Sequence, residues 1–387
     1  MTARILIGDV REKLAELPAG SVHCVVTSPP YWSLRDYGVA GQLGLEPTLA
    51  EHIESMVGVF SEVWRVLRKD GTLWLNYGDG YTSGNRGRRT ADKKNPAQFT
   101  GVRPDTPDCL KPKDLCMVPA RLAIALQDWG WWLRSDIIWA KPNPMPSSVR
   151  DRPTSAHEHV FLLSKAARYF YDAEAVRENT DTGKSLSKKP DGWDTGPGAH
   201  GTVHRSGRGR GAASAIRSGH NLRDVWAIST EPYAEAHFAT FPTKLVEPCI
   251  LAGTSAKGCC ASCGAPWMRR DVNRTAMVIA RSEQTHPLGR TRSSGTMIEP
   301  PRAETTGWSP SCDCNADTTP CVVMDPFAGS GTTLMVAERL GRDSLGIELN
   351  PDYAALAQAR IRAGLWRVEG DAGDISNIGP LFEGCAL

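Results

Sequence analysis

Asp325-Pro326-Phe327-Ala328-Gly329-Ser330-Gly331-Thr332-Thr333 follows a short apolar run at 321–324 and leads into a helical stretch at 332–340. A strand that passes through a glycine turn into a helix is the building unit of an open α/β sheet. The turn presents the first N–H groups of the helix to a ligand. A second stretch, Thr27-Ser28-Pro29-Pro30-Tyr31-Trp32, follows the apolar run at 22–26 in the same manner. Both stretches are therefore expected at the carboxyl ends of strands, the edge where such sheets bind ligands.

Outward from these two points, the chain alternates strands and helices. Residues 4–8 read as a strand. Residues 48–68 read as an amphipathic helix, opened by a capping box of Thr48 and Glu51 and stopped by Gly71. Strands follow at 72–76, 131–139 and 159–163, with a helix begun by Pro119 among them. After the glycine turn, 344–349 reads as a strand, Asn350 as an N-cap and Pro351 as the first residue of a helix to Gly364. The expected fold is α/β, a mainly parallel sheet with helices on both faces and inserted modules.

Composition narrows the partners. The 387 residues are 41% hydrophobic, enough for one large core, and no run approaches the ~20 apolar residues of a membrane span. Met1 runs straight into a strand without a secretory leader, so a soluble, cytoplasmic protein is expected. The net charge of +2 names no partner. Its distribution is more telling: Arg86, Arg88, Arg89, Lys93 and Lys94 share one loop, and Lys184, Lys188, Lys189, Arg205, Arg208, Arg210, Arg217 and Arg223 share another. Such loops suit a phosphate backbone as well as plain solvation.

Ser28, Pro29, Pro30 and Tyr31 suit one task, gripping an exocyclic amino group on a flat base. That amine is a poor nucleophile because its lone pair is delocalised into the ring. Acceptors on its two hydrogens draw it toward tetrahedral geometry, and Ser28 Oγ with the Pro29 carbonyl are the expected acceptors. The prolines fix the backbone and add no competing donor. Tyr31 is expected to stack on an extruded base, an interaction worth about 1–3 kcal/mol. Gly329 and Gly331 form only part of the dinucleotide fingerprint, since Leu334 occupies its third glycine position. A nucleotide-like cofactor without a pyrophosphate fits better, with Glu348 at the next strand end accepting from both ribose hydroxyls.

These motifs resemble the amino-group DNA methyltransferases, in the permuted class whose catalytic half precedes the cofactor half. The resemblance spans most of the chain. It implies a Rossmann-like fold that binds S-adenosyl-L-methionine through Thr27, Asp325, Pro326, Phe327, Ala328, Gly329, Gly331, Thr332 and Glu348. It further implies that Asp9 accepts from the adenine amino group, although Asp9 serves equally as a helix cap and Asp371 is a rival. Lys244, in Phe241-Pro242-Thr243-Lys244, would meet the methionine carboxylate or simply stand exposed at a helix start. Asn76, Tyr77, Gly78 and Asp79 match the pocket wall. Ser at position 28 resembles the cytosine-N4 enzymes, whereas Asp there marks mostly adenine-N6 enzymes. The implied substrate is duplex DNA, with a cognate restriction endonuclease as a partner. Rival substrates are RNA or a protein amide, and a non-catalytic DNA-binding scaffold is the rival class.

Among eleven cysteines, Cys260 and Cys263 form one close pair and Cys312 and Cys314 another. Two such pairs suit a closed tetrahedral zinc site, with Cys259 and His286 as substitutes. The expected organisation is a catalytic half at 1–173, a DNA-contact region at 174–236, a cofactor-site segment at 237–253, a zinc insert at 254–320 and an AdoMet-binding half at 321–387.

Overall fold

The computed structural model describes residues 3–34, 36, 38–82, 109–178, 220–231, 241–273, 277–285, 291–299 and 303–369. Its strands are β1 (Ala3–Ile7), β2 (Val22–Thr27), β3 (Leu67–Tyr77), β4 (Trp132–Ala140), β5 (His157–Ser164), β6 (Val225–Ala227) and β7 (Cys259–Cys260). They continue with β8 (Met268–Asn273), β9 (Met277–Thr285), β10 (Thr291–Glu299), β11 (Ala303–Ser309), β12 (Thr318–Thr319), β13 (Val322–Asp325) and β14 (Asp343–Glu348). The helices are α1 (Val10–Ala15), α2 (Leu49–Val66), α3 (Val118–Trp129), α4 (Thr243–Gly253), α5 (Thr332–Arg339) and α6 (Pro351–Glu369).

Eight strands form one sheet in the order β1-β14-β13-β2-β3-β5-β4-β6. Only β5 runs antiparallel to its neighbours, so the carboxyl ends of β1, β14, β13, β2, β3 and β4 share one edge. Helices α1, α2 and α3 pack as one layer, and α4, α5 and α6 as the other. Central strands covered on both sides must be apolar throughout. Accordingly all six residues of β2 are buried. The mixed, mostly parallel sheet is the expected architecture.

Local punctuation also behaves as read. Thr48 accepts from Glu51 N–H and Glu51 accepts in return, closing the capping box of α2. Asn350 Oδ1 accepts from Asp352 N–H at the start of α6. Three boundaries differ from expectation. Helix α2 ends at Val66 and β3 starts at once, so Gly71 lies inside a strand. It is small because a Cβ there would come within 2.8 Å of the His23 carbonyl and 2.7 Å of Leu67. Helix α6 runs past Gly364 to Glu369.

The chain forms two compact units, one of Met1–Asp172, Asp224–Pro266 and Cys312–Leu387, the other of Ala173–Arg223 and Trp267–Ser311. Segments 174–236 and 254–320, each read as one module, are therefore divided between units. Strand β6 joins the main sheet, and all four paired cysteines belong to the first unit. The second unit contains the antiparallel pairs β9–β10 and β8–β11. Within it, Arg223 Nε donates to Glu178 Oε2 at 2.7 Å. The cations at 86–94 and 184–217, together with His286 and Asp371, lie outside the described residues.

Gly331 closes the turn onto α5 with φ +75°, and a Cβ there would sit 2.9 Å from Ala357 Cβ on α6. Gly331→Val is expected to strain the turn and pry α5 from α6, at about 1–3 kcal/mol. A thermal melt checks this; an unchanged midpoint would mean the two helices are not held so closely.

Candidate active site

Strand β13 turns to α5 on one face of the sheet, while β2 leads to α2 on the other. Between neighbouring strands whose connections diverge, a crevice opens at the carboxyl edge. Here it is a cavity of about 890 Å³ lined by Ser28, Pro29, Pro30 and Tyr31 together with Pro326, Phe327, Ala328, Gly329, Ser330 and Thr332. Asp9 and Glu348 line it as well. The two signature stretches, almost 300 residues apart in the chain, thus share one chamber.

Thr27 and Asp325 do not line that chamber; they tie its halves together. Thr27 Oγ1 donates to Asp325 Oδ1 at 2.7 Å, and Phe327 N–H donates to the same oxygen at 3.0 Å. Thr333 Oγ1 donates to the Val26 carbonyl at 3.1 Å. Both were expected to contact the cofactor directly; buried at 1% exposure, they instead hold strand end to strand end. Burial pushes the Asp325 carboxyl up from 3.8 to about 6.

Around Ser28 the side chains form one network. Tyr31 OH donates to Glu158 Oε2 at 2.8 Å, and Asn76 Nδ2 donates to Tyr31 OH and to Glu158 Oε2, each at 3.0 Å. Ser28 Oγ donates to Tyr31 OH in a long contact of 3.3 Å. Lys141 Nζ pairs with Glu158 Oε1 and sits 4.3 Å from the Trp139 ring centroid. Burial first, and then the Glu158 charge, raise the Tyr31 phenol well above its usual range, so it is a neutral donor. Asn76 Oδ1 is buried with no protein partner, an acceptor suited to a ligand N–H. The proline turn is braced from behind. Tyr77 stacks on Tyr31 at 4.6 Å and takes a hydrogen bond from Trp32 N–H at 3.1 Å. His52 Nε2 lies 2.6 Å from Tyr77 OH, and its Nδ1 lies 2.7 Å from Glu46 Oε2. One face of Tyr31 is therefore already covered.

At the other end of the chamber, Glu348 Oε2 accepts from Gly329 N–H at 2.8 Å and Oε1 from Asn350 N–H at 2.9 Å. Each carboxylate oxygen keeps a second lone pair for a ligand. Burial raises the Glu348 carboxyl. Asp9 caps α1 through Arg11 N–H at 2.8 Å and also pairs with the Arg11 guanidinium. Asp9 thus caps the helix, and its side chain also lines the chamber. Leu334, at the missing glycine position, packs where a Cβ on Gly346 would meet it at 2.8 Å; the strand carries the glycine instead of the helix. Lys244 is exposed on the first turn of α4 and is not among the lining residues, which include Phe241 three positions earlier.

With this geometry in place, the family model described as "DNA methylase", of N6/N4 methyltransferases, matches residues 22–261 and 321–359. The chain belongs to the N6/N4 DNA methylase family. It is 42% identical over 360 residues to Type II methyltransferase M.Cfr9I of Citrobacter freundii, across 93% of this chain and 88% of that one. It is 43% identical over 355 residues to Type II methyltransferase M.XycI of Xanthomonas campestris pv. cyanopsidis, across 92% and 86%. Among solved structures, the PvuII DNA methyltransferase (cytosine-N4-specific) shares the fold with a TM-score of 0.51 at 19% identity, covering 95% of this chain and 93% of that one. Among the described residues of this methylase, no helix is long and apolar enough to cross a membrane.

The sulfur atoms of Cys260, Cys263, Cys312 and Cys314 lie within 4.8 Å of one another. They gather at the amino end of the strands, opposite the chamber. Arg68 Nη1 donates to the Cys263 carbonyl at 2.7 Å, and His23 Nε2 lies 2.9 Å from the Gly264 carbonyl. Cys259 belongs to a separate buried group with His23 and Cys321. That group is no metal site, because His23 Nδ1 already accepts from Val322 N–H at 3.0 Å and Nε2 donates to Gly264. Among the chamber residues, reading the sequence missed Glu158, Lys141 and Trp139. Its one available signal was the pairing of two strand-like runs around a proline-rich connection.

The raised Asp325 carboxyl carries a sign. The unfolded chain loses this proton near 3.8, whereas the folded chain keeps it to about 6. Stability contributed by the protonated group is thus present below pH 4 and lost as pH rises through 6. Asp325→Asn removes that dependence. In urea unfolding its stability relative to the parent is expected to rise by about 1–3 kcal/mol between acid and neutral pH. A difference constant with pH would contradict a costly buried charge.

Proposed function

We propose that this methylase is a permuted-class enzyme that methylates the N4 amine of a cytosine extruded from duplex DNA, with S-adenosyl-L-methionine as donor. One observation carries the reading: the proline-locked Ser28–Tyr31 turn and the Gly329–Glu348 end line a single chamber. The cofactor, when bound, supplies an electrophilic methyl group. Glu348, Asp9, Phe327 and the Gly329 turn are the residues suited to hold it, since they offer two carboxylates, an apolar ring and a backbone without a Cβ.

The protein's own part is to make a poor amine attack. Ser28 Oγ directs its hydrogen toward Tyr31 OH, which directs its own toward Glu158. Ser28 Oγ also accepts from Asn76 Nδ2 at 3.4 Å, which leaves one lone pair for an amino hydrogen, and the Pro29 carbonyl is available for the other. Glu158, paired with Lys141, sets a negative charge two hydrogen bonds behind Ser28, which favours positive charge developing on the amine. When the amine must shed a proton, the same chain leads it through Ser28 and Tyr31 to Glu158. The free face of Tyr31 offers a flat surface for the base.

Protein incubated with labelled AdoMet and duplex DNA is expected to yield N4-methylcytosine on nucleoside analysis; N6-methyladenine would overturn the N4 assignment. Ser28→Ala and Glu158→Gln are expected to lower turnover about 100-fold or more, with AdoMet affinity within a few-fold of the parent. Parental turnover by Ser28→Ala would sink the acceptor role.

We also infer a structural zinc ion on Cys260, Cys263, Cys312 and Cys314. A tetrahedral site with bonds of about 2.3 Å has sulfur–sulfur edges near 3.8 Å, within the spread observed. Metal analysis should find one zinc per chain, and Cys263→Ser should lower the melting temperature. An unchanged melt with no zinc would remove it. The relatives named as Type II methyltransferases further support a restriction endonuclease partner acting on the same site, in the cytoplasm.

A further inference from the structure

The connection from β4 to β5 carries Pro142, Pro144, Pro146 and Pro153. Each proline fixes φ, so little conformational freedom remains to be lost on binding. Asn143 anchors the segment: its Nδ2 donates to Thr230 Oγ1 at 3.0 Å and its Oδ1 accepts from Thr230 N–H at 3.1 Å. Between Pro144 and Pro146 stands Met145, 79% exposed, the most exposed large hydrophobic side chain among the described residues. It lines the same chamber as Tyr31, Lys141 and Glu158, and its exposure places it at the mouth. Farther along the segment Arg150 is exposed, and the Arg152 guanidinium lies 3.6 Å from the Tyr81 ring centroid.

Single exposed apolar side chains are ordinary on protein surfaces. The position of this one is not, because it combines a proline-held backbone, an anchored neighbour and the entrance of a base-sized chamber. Extruding a nucleotide leaves a gap between its stacked neighbours and costs a few kcal/mol of unstacking. Proteins that part base steps do so with Phe, Leu, Ile, Met or Pro wedges. An unbranched, polarizable thioether fits such a gap.

We propose that Met145 is that wedge: it enters the duplex beside the target, fills the space vacated by the extruded base and so holds it in the chamber. The proposal rests on the base-extruding reading above. Met145 is buried by DNA and, among the described residues, by nothing in the free protein, which accounts for its exposure there. The exposed Arg150 is within the same connection, where it can neutralise a phosphate once the wedge is seated.

The test uses duplexes carrying the modified site, once mapped by sequencing methylated DNA, in two forms. In one the target base is paired; in the other it faces an abasic position and needs little energy to leave the stack. Met145→Ala is expected to slow single-turnover methylation of the paired duplex by roughly tenfold or more. On the abasic-facing duplex it should come within about twofold of the parent, with AdoMet affinity unchanged. Met145→Leu, still able to wedge, should stay near the parent on both. With 2-aminopurine at the target position, the parent should show a fluorescence rise on binding that Met145→Ala lacks. Parental rates by Met145→Ala on the paired duplex, or equal slowing on both duplexes, would overturn the wedge. Failure of the underlying reading looks different: the parent itself would methylate neither duplex.

Discussion

The hydrogen bond of 2.7 Å from Thr27 Oγ1 to Asp325 Oδ1 joins β2 to β13 at the place where their onward connections part to opposite faces of the sheet. Each of the two signature turns begins one residue beyond one end of that bond. Ser28 follows Thr27 and the glycine turn follows Asp325, so their separation is set by two adjacent parallel strands in register at Val323 with Cys24 and Met324 with Val25. A buried carboxylate is a costly strut, and burial indeed raises this one. What it contributes is specificity of alignment: one oxygen binds a hydroxyl on one strand and an amide at its own turn, and a slip of either strand would leave it unpaired.

What was legible in the sequence follows from how far each signal reaches. The capping box of Thr48 and Glu51 and the Asn350-Pro351 start are complete within four residues, so they can be read without the fold. The same holds for the two strand-to-turn signatures. Gly71 illustrates the opposite case. A glycine after a helix reads as its stop, yet its smallness answers to the His23 carbonyl on another strand, which no window around residue 71 contains. Leu334 and Gly346 make the same point in reverse: the close approach of helix and strand was there, but the residue without a Cβ stands on the strand.

Glu158 was invisible for a further reason. Strand β5 is antiparallel to both of its neighbours, so it enters the sheet at the edge where the parallel strands end. A reading that looks for chemistry after strands finds Ser28 and Asn76 and passes over a carboxylate at the start of one. Likewise Lys244 was read from its place in a family segment, but helix α4 leaves it in solvent while Phe241 lines the chamber.

The cysteine cluster and the chamber occupy opposite ends of the same strands, and that separation explains how the fold tolerates its long excursion between α4 and β13. Strand β13 must find its place between β14 and β2 after the chain has wandered from Gly253 to Val322. Loop closure grows only slowly in cost with length, but register has to be restored when the chain returns. Cys260 and Cys263 before the excursion meet Cys312 and Cys314 after it, and β7 pairs with β12 just beside them. The returning chain is thereby gripped a few residues before Val322, with Arg68 and His23 fastening the grip to β3 and β2. Insertions beyond the cysteines can then change without moving Asp325, and the geometry at the far end of the sheet is preserved.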